Sequence, residues 1–240
     1  MASNGLTLLG FDTATTACSA ALWAGGKVTA CRRIEGSGRH AETLVPMLRE
    51  VAAEGGIPFA AVDRFAVTVG PGSFTGIRIG LATARGLALA LKRPLIGLST
   101  LEVLAAGVPA AERDGPVLAA LDAGRGRLYA QLFDRSLSVL SEPQALVAEA
   151  LPDLVEVVAN RGPLSVVGTG QAVALAALSP GIDARPASGS PTPDARVLVR
   201  RAAARAETGA DEGTAVRPLY LREAGAKLRA RPLAGGPPDA

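Results

Sequence analysis

The hydrophobic positions of this chain switch between periods, and the switches mark out its elements. Residues 6–12 form a continuous apolar run closed by an acid, the pattern of a buried strand ending at Asp12. A small-residue turn over 13–17, a strand over 18–23, the turn Ala24-Gly25-Gly26 and a strand over 27–32 predict an antiparallel meander. The period then lengthens: Leu44, Val45, Leu48, Val51 and Ala52 share one stripe of a helix over 40–54, which Pro46 should kink or delay. Residues 65–69 read as a strand, 70–76 as a glycine-rich loop, and 77–91 as a helix interrupted only by Arg78, Thr83 and Arg85. A helix apolar nearly all round must be covered on most sides. Its Gly76, Gly80 and Gly86 lower helix propensity, for which close approach of another backbone is the usual compensation. A strand over 95–98 and the capping box Ser99-x-x-Glu102, opening a helix to about Ala106, complete the first half.

The segment 107–115, rich in Gly, Pro and charge, is the expected domain boundary. Beyond it come a strand over 117–121 ending at Asp122, the turn Ala123-Gly124-Arg125-Gly126 and a return strand over 128–133. A helix over 151–160 follows, then a strand over 164–167 running into Gly168-Thr169-Gly170 and a helix from Gln171. Thr192-Pro193-Asp194 starts a last helix to about Glu207. Strand, terminal Asp, turn and antiparallel strand thus occur twice, at 9–23 and 119–133, each time at the start of an α/β segment. The pattern predicts two lobes, 1–106 and a smaller 107–231, with a disordered tail over 232–240.

Composition narrows the function. With 240 residues, 48% hydrophobic and 20% charged, the chain can bury a core without staples and is far from the disordered class. Up to Pro193 it carries 16 basic and 16 acidic residues; the net charge of +3 arises wholly beyond that point. A neutral body and eight aromatics argue against a protein that coats nucleic acid. The first basic residue is Lys27, and the longest uncharged stretch, 162–182, is cut by Gly and Pro into strand, loop and helix, so a cytoplasmic protein without membrane contact is expected. Cys18 and Cys31 both fall in strands and are expected as buried free thiols. One histidine, His40, leaves no imidazole pair for a metal site, so neither metal ligands nor catalytic residues are assigned.

The loop from Gly70 to Gly76 follows a strand and opens a helix, where free N–H groups favour an anion. It matches neither a Walker loop, which needs Lys where Ile77 stands, nor the dinucleotide fingerprint. Anion binding by Gly70, Gly72, Ser73, Thr75 and Gly76 with Asp12, or a tight connection with packing glycines, both fit. Asp12 and Asp122 could hold a hydrated Mg²⁺ or accept turn N–H bonds. His40 reads as a packing or capping residue. The run Arg196, Arg200, Arg201, Arg205 is a solvated face or, more sharply, an RNA-facing patch.

The string Gly70-Pro71-Gly72-Ser73-Phe74-Thr75-Gly76-Ile77-Arg78-Ile79-Gly80, with Phe11-Asp12-Thr13 and Arg39-His40-Ala41-Glu42, closely resembles the TsaB family of glycoprotease-like proteins. The match runs through about the first 105 residues and continues more loosely through 122–133, Gly168-Thr169-Gly170 and 216–222. The resemblance implies an α/β, actin/Hsp70-like ATPase (ribonuclease H-like) fold with two related lobes. It implies a non-catalytic subunit that pairs with the catalytic paralogue TsaD in transferring threonylcarbamoyl to adenosine 37 of tRNA (t6A synthesis). TsaD carries a metal on a His-x-x-x-His pair; Leu98 and Glu102 stand at those positions here. The first two helices would form the partner interface through His40, Leu44, Val45, Leu48, Ile77, Arg78, Leu81 and Arg85, and could pair with a second copy when the partner is absent. TsaE is a further implied partner, tRNA an indirect one. No cofactor is required by this chain, although ATP or ADP could bind in the complex. The alternatives are a stand-alone ATPase or kinase of the same fold and, less in keeping with one histidine, a peptidase.

Overall fold

A computed structural model describes residues 5–36, 38–158, 160–208 and 216–221. The first half runs β1 (Leu8–Asp12), β2 (Cys18–Ala24), β3 (Lys27–Ile34), α1 (His40–Glu54), β4 (Arg64–Thr68), α2 (Phe74–Leu91), β5 (Leu95–Leu98) and α3 (Thr100–Ala106). The second runs β6 (Val117–Gly124), β7 (Arg127–Phe133), β8 (Gln144–Val147), α4 (Leu151–Val155), β9 (Leu164–Val167), α5 (Gln171–Ala177), β10 (Ala184–Pro186) and α6 (Ala195–Glu207). The two sheets have the same order, β3-β2-β1-β4-β5 and β8-β7-β6-β9-β10. Each joins an antiparallel meander to two parallel strands. The repeated strand–Asp–turn–strand pattern is therefore a whole-lobe duplication, the plan of the actin/Hsp70-like fold.

Period-two alternation sets the layers. Leu9 and Phe11 of β1 enter a core with Leu44 and Leu48 of α1 and Ile77 and Leu81 of α2. The opposite face meets α6 so closely that a Cβ on Gly10 would lie 2.5 Å from Val199. In β6, Leu118 and Ala120 pack with Leu151 and Val155 of α4 and Ala174 of α5, whereas Val117, Ala119 and Leu121 pack on Leu101 and Leu104 of α3. The sheets are thus each flanked by helices on both faces, with α3 and α6 between them.

Several expectations change. The second sheet spans 117–186, but α6 and the segment 216–219 return to the first, so the second lobe is not the contiguous 107–231. The tail 232–240 lies outside the described residues. α1 continues through the exposed Pro46 without interruption. α2 starts earlier than its apolar pattern, because Ser73 Oγ accepts from Gly76 N at 3.2 Å and caps it. The helix expected over 151–160 tightens into a 3₁₀ turn after Val155. β8 and β10 escape sequence reading because they are short edge strands without clear alternation. Cys18 is buried, and burial pushes its thiol up to about 11, but Cys31 is exposed on edge strand β3. The uncharged stretch 162–182 becomes β9, a glycine turn and α5. Among the described residues α2 alone is long and apolar enough to cross a membrane, yet it buries Gly76, Ile77, Gly80, Leu81, Ala84 and Ala88 against the first lobe.

Candidate functional site

A cleft of about 680 Å³ separates the lobes. Thr15, Thr16, His40, Ser73, Thr75 and Gly76 line one wall; Leu121, Asp122, Tyr129 and Thr169 line the other. The duplicated strands β1 and β6 bring their terminal carboxylates towards it, and there the two copies part. Asp122 is exposed, and its Oδ1 accepts from Gly124 N at 2.7 Å while Thr169 Oγ1 accepts from Asp122 N at 3.0 Å. Asp12 is fully buried. Its Oδ1 accepts from Thr68 Oγ1 at 2.5 Å and Ala14 N at 3.1 Å, and its Oδ2 has no partner among the described residues. Burial raises the Asp12 pKa to about 7, against the opposing pull of the Thr68 and Ala14 hydrogen bonds and the Arg33 charge. Asp12 does not line the cleft, so the expectation that it faces an anion, a nucleotide or Mg²⁺ there is corrected: the 13–16 turn covers it.

The glycine loop explains that cover. A Cβ on Gly72 would lie 2.1 Å from Ala14 O, and one on Gly76 2.0 Å from Thr13 O. Ser73 N donates to Ala14 O at 2.7 Å, and Thr13 Oγ1 donates to Gly76 O at 2.7 Å. The start of α2 is therefore packed directly onto the β1–β2 turn, and the packing reading of these glycines accounts for the loop. Gly72, Ser73, Thr75 and Gly76 still border the cleft, whereas Gly70 packs beneath Leu219 O and does not. His40, the first residue of α1, is 8% exposed and holds Thr15 O at 2.9 Å through Nε2, a packing histidine at the cleft wall.

The outer face of α2 differs from the expected interface. Leu44, Leu48, Ile77 and Leu81 are core residues, because the stripe read as a docking surface is the side that packs on the sheet. Of the expected set, Val45, Arg78 and Arg85 are exposed. The solvent side of α2 instead presents Ala82, Gly86 and Leu89, spaced i, i+4, i+7, with Leu89 76% exposed and open space around Gly86, while Ile79 is half-buried against the core at the cleft. Beside it runs the segment 216–221, which sequence reasoning passed over as part of a site. Arg85 Nη2 donates to Val216 O at 2.6 Å and Leu219 N to Val69 O at 2.8 Å. Arg78 stacks 3.7 Å over Phe74 and reaches Tyr220 Oη at 3.4 Å.

The basic run on α6 is not an open patch. Arg196 pairs with Asp194 at 2.6 Å, and Arg201 and Arg205 each meet Glu102 at 2.9 Å, while the exposed Arg200 donates through Nε to Arg196 O at 3.2 Å. Glu102 is consequently turned away from the expected capping box, of which only the Ser99 half forms, accepting from Leu101 N at 3.2 Å. The downstream basic residues 222–231 lie outside the described residues. Among the described residues no three His, Cys, Asp or Glu side chains gather as metal ligands.

Comparison with known proteins fits this architecture. The profile of the family described as TsaD, tRNA N6-adenosine threonylcarbamoyltransferase, matches residues 35–176, more than half of the chain. The chain is similar to the tRNA threonylcarbamoyladenosine biosynthesis protein TsaB of Escherichia coli (strain K12), at 36% identity over 154 residues, 62% of this chain and 64% of that one. It is similar to TsaB of Haemophilus influenzae at 38% identity over 124 residues, 52% of each chain. These matches span between about half and just under two thirds of the relatives' length. The solved YeaZ from Pseudomonas aeruginosa superposes with a TM-score of 0.79 at 30% identity, covering 90% of this chain and 100% of that one.

Proposed function

The chain belongs to the TsaB family, and on that premise we propose that it is a non-catalytic, cytoplasmic subunit of the complex that transfers threonylcarbamoyl to adenosine 37 of tRNA. It pairs with TsaD through α2. The observation that carries this reading is the uncharged exposed line Ala82, Gly86 and Leu89 on the outside of a helix whose other side is already committed to the core. A contiguous apolar strip left open on a folded protein marks a site of protein contact. The inventory of the cleft supports the non-catalytic part. His40 is bonded to Thr15 O, the Asp122 carboxylate accepts from Gly124 N, and the buried Asp12 does not line the cleft. In this reading TsaE and tRNA are met through the assembled complex, and any ATP or ADP enters with the partner.

The test is reconstitution of the modification with TsaD, TsaE and TsaC, with this chain omitted from one reaction; modification without it sinks the reading. Leu89→Asp and Ala82→Asp should abolish co-purification with TsaD at an unchanged unfolding midpoint. Leu48→Asp should instead unfold the protein, since it buries a charge in the core. Unaltered binding by the first two variants would remove the interface from α2. The open cleft favours one rival, a stand-alone ATPase or kinase. Calorimetry with ATP and Mg²⁺ separates the two, because micromolar binding with turnover by this chain alone belongs to the rival.

A further inference from the structure

The interlobe cleft, at about 680 Å³, has the size of a small-molecule site, and its lining restricts what it can take. Among the described residues, Asp122 is the only carboxylate that lines it, and no Lys or Arg does. Asp122 is exposed at the cleft, its Oδ1 accepting from Gly124 N at 2.7 Å. His40 adds a second acceptor: Thr15 O can only accept, so Nε2 donates to it and the neutral ring keeps Nδ1 as an acceptor. Ala14, Ala41, Ile79, Leu121 and Ala123 form the apolar part of the lining, and the hydroxyls of Thr16, Ser73 and Thr75 can donate or accept. Two N–H groups at the start of α2 that could attract an anion are already taken, Ser73 N by Ala14 O and Gly76 N by Ser73 Oγ. The cleft therefore offers one negative charge, further acceptors and an apolar wall.

We propose that the cleft binds an organic ammonium group, a primary amine on a partly apolar body, with Asp122 as its counter-ion. A phosphate fits poorly, because its charge would meet Asp122 with no cation in the lining to neutralise it. A bare divalent cation fits poorly too, since it needs several oxygen ligands and no group of three acids, histidines or cysteines gathers among the described residues. The burial of Asp12 matters here. Two open strand-end carboxylates would favour a divalent ion, whereas Asp122 alone matches a single ammonium. A free amine and a lysine side chain share this chemistry, each carrying its charge on an apolar stem. The inference is independent of the docking role of α2, because Ala82, Gly86 and Leu89 do not border the cleft.

The experiment is calorimetry of the full-length chain with tyramine, with tyrosol, in which a hydroxyl replaces the amine, and with Nα-acetyl-lysine amide. Tyramine should bind about ten-fold or more tightly than tyrosol, the difference being the charge-assisted pair with Asp122. Asp122→Asn, which keeps an oxygen for Gly124 N, should weaken tyramine by a similar factor and leave tyrosol unchanged. Thr16→Trp, placed at an exposed position on the opposite wall, should fill the cleft and abolish binding of both at an unchanged unfolding midpoint. Tighter binding of tyramine than of the blocked lysine assigns the site to a free amine, and the reverse order to a lysine side chain; both support the proposal. No amine binding at millimolar concentration, equal affinity for tyramine and tyrosol, or amine binding that survives both substitutions overturns it. Binding of inorganic phosphate, or of ATP with Mg²⁺, that Thr16→Trp abolishes would make the cleft a phosphate site and overturn it as well.

Discussion

Replacing Asp12 by Asn should make the protein more stable at pH 8 and leave it little changed, or weaker, at pH 5. Burial raises the carboxyl from 3.8 to about 7, so the native state holds a proton that the unfolded chain releases near pH 4. A raised acid works against the fold as pH rises. The penalty is absent below the unfolded value, grows across the window from about 4 to about 7, and is complete above the folded value. About three pKa units at 1.36 kcal/mol each give a penalty of about 4 kcal/mol, of which about 2.5 kcal/mol accrues between pH 5 and pH 8. The Asn side chain keeps an oxygen for Thr68 Oγ1 and Ala14 N but places an amide where Oδ2 lacks a partner, at a pH-independent cost of about 1–3 kcal/mol. Urea unfolding of both proteins at several pH values isolates the effect as the difference between them. That difference should move in favour of the Asp12→Asn variant by about 2.5 kcal/mol from pH 5 to pH 8. A constant difference across the range would refute the argument that the carboxylate is sealed from solvent.

Two further outcomes test the packing. Glu102→Ala should lower stability by about 2 kcal/mol in chemical denaturation, because it leaves the partly buried Arg201 and Arg205 without their carboxylate. Gly76→Ala should destabilise by about 1–3 kcal/mol, its Cβ meeting the Thr13 carbonyl, whereas Gly86→Ala in open space should stabilise by up to about 1 kcal/mol through helix propensity; equal effects at the two sites would contradict the α2–turn contact.

The elements with a clear period were legible in the sequence. β5 and β9 occur at their expected bounds, and the duplicated strand–Asp–turn–strand pattern led to two like-built lobes. What periodicity could not supply was the partner of each face. The stripe Leu44, Leu48, Ile77, Leu81 has the spacing of any buried helix side, and a core and a docking surface look alike until the sheet beneath is in place. The arginines of α6 posed the same problem: i, i+4 spacing put them on one face but could not reveal Glu102 across from Arg201 and Arg205. Contacts between residues a hundred positions apart leave no local signal. The return of 216–221 to the first lobe escaped for that reason too, since its ties are to Val69, Arg78 and Arg85.

The divergence between Asp12 and Asp122 joins the two halves of the functional reading. In the second lobe the strand-end carboxylate stays exposed at the cleft, its Oδ1 accepting from Gly124 N. In the first, side-chain-free Gly72 and Gly76 let α2 settle onto the β1–β2 turn, and the same approach closes Asp12 away from the cleft. Asp12 is thereby kept from lining the cleft, and burial holds its pKa up at about 7. This packing also commits one side of α2, through Gly76, Ile77, Gly80 and Leu81, to the interior. The opposite side stays exposed, with Ala82, Gly86 and Leu89 beside Arg78 and Arg85. The glycines that let α2 close onto the β1–β2 turn are thus the residues that fix which side of α2 faces solvent.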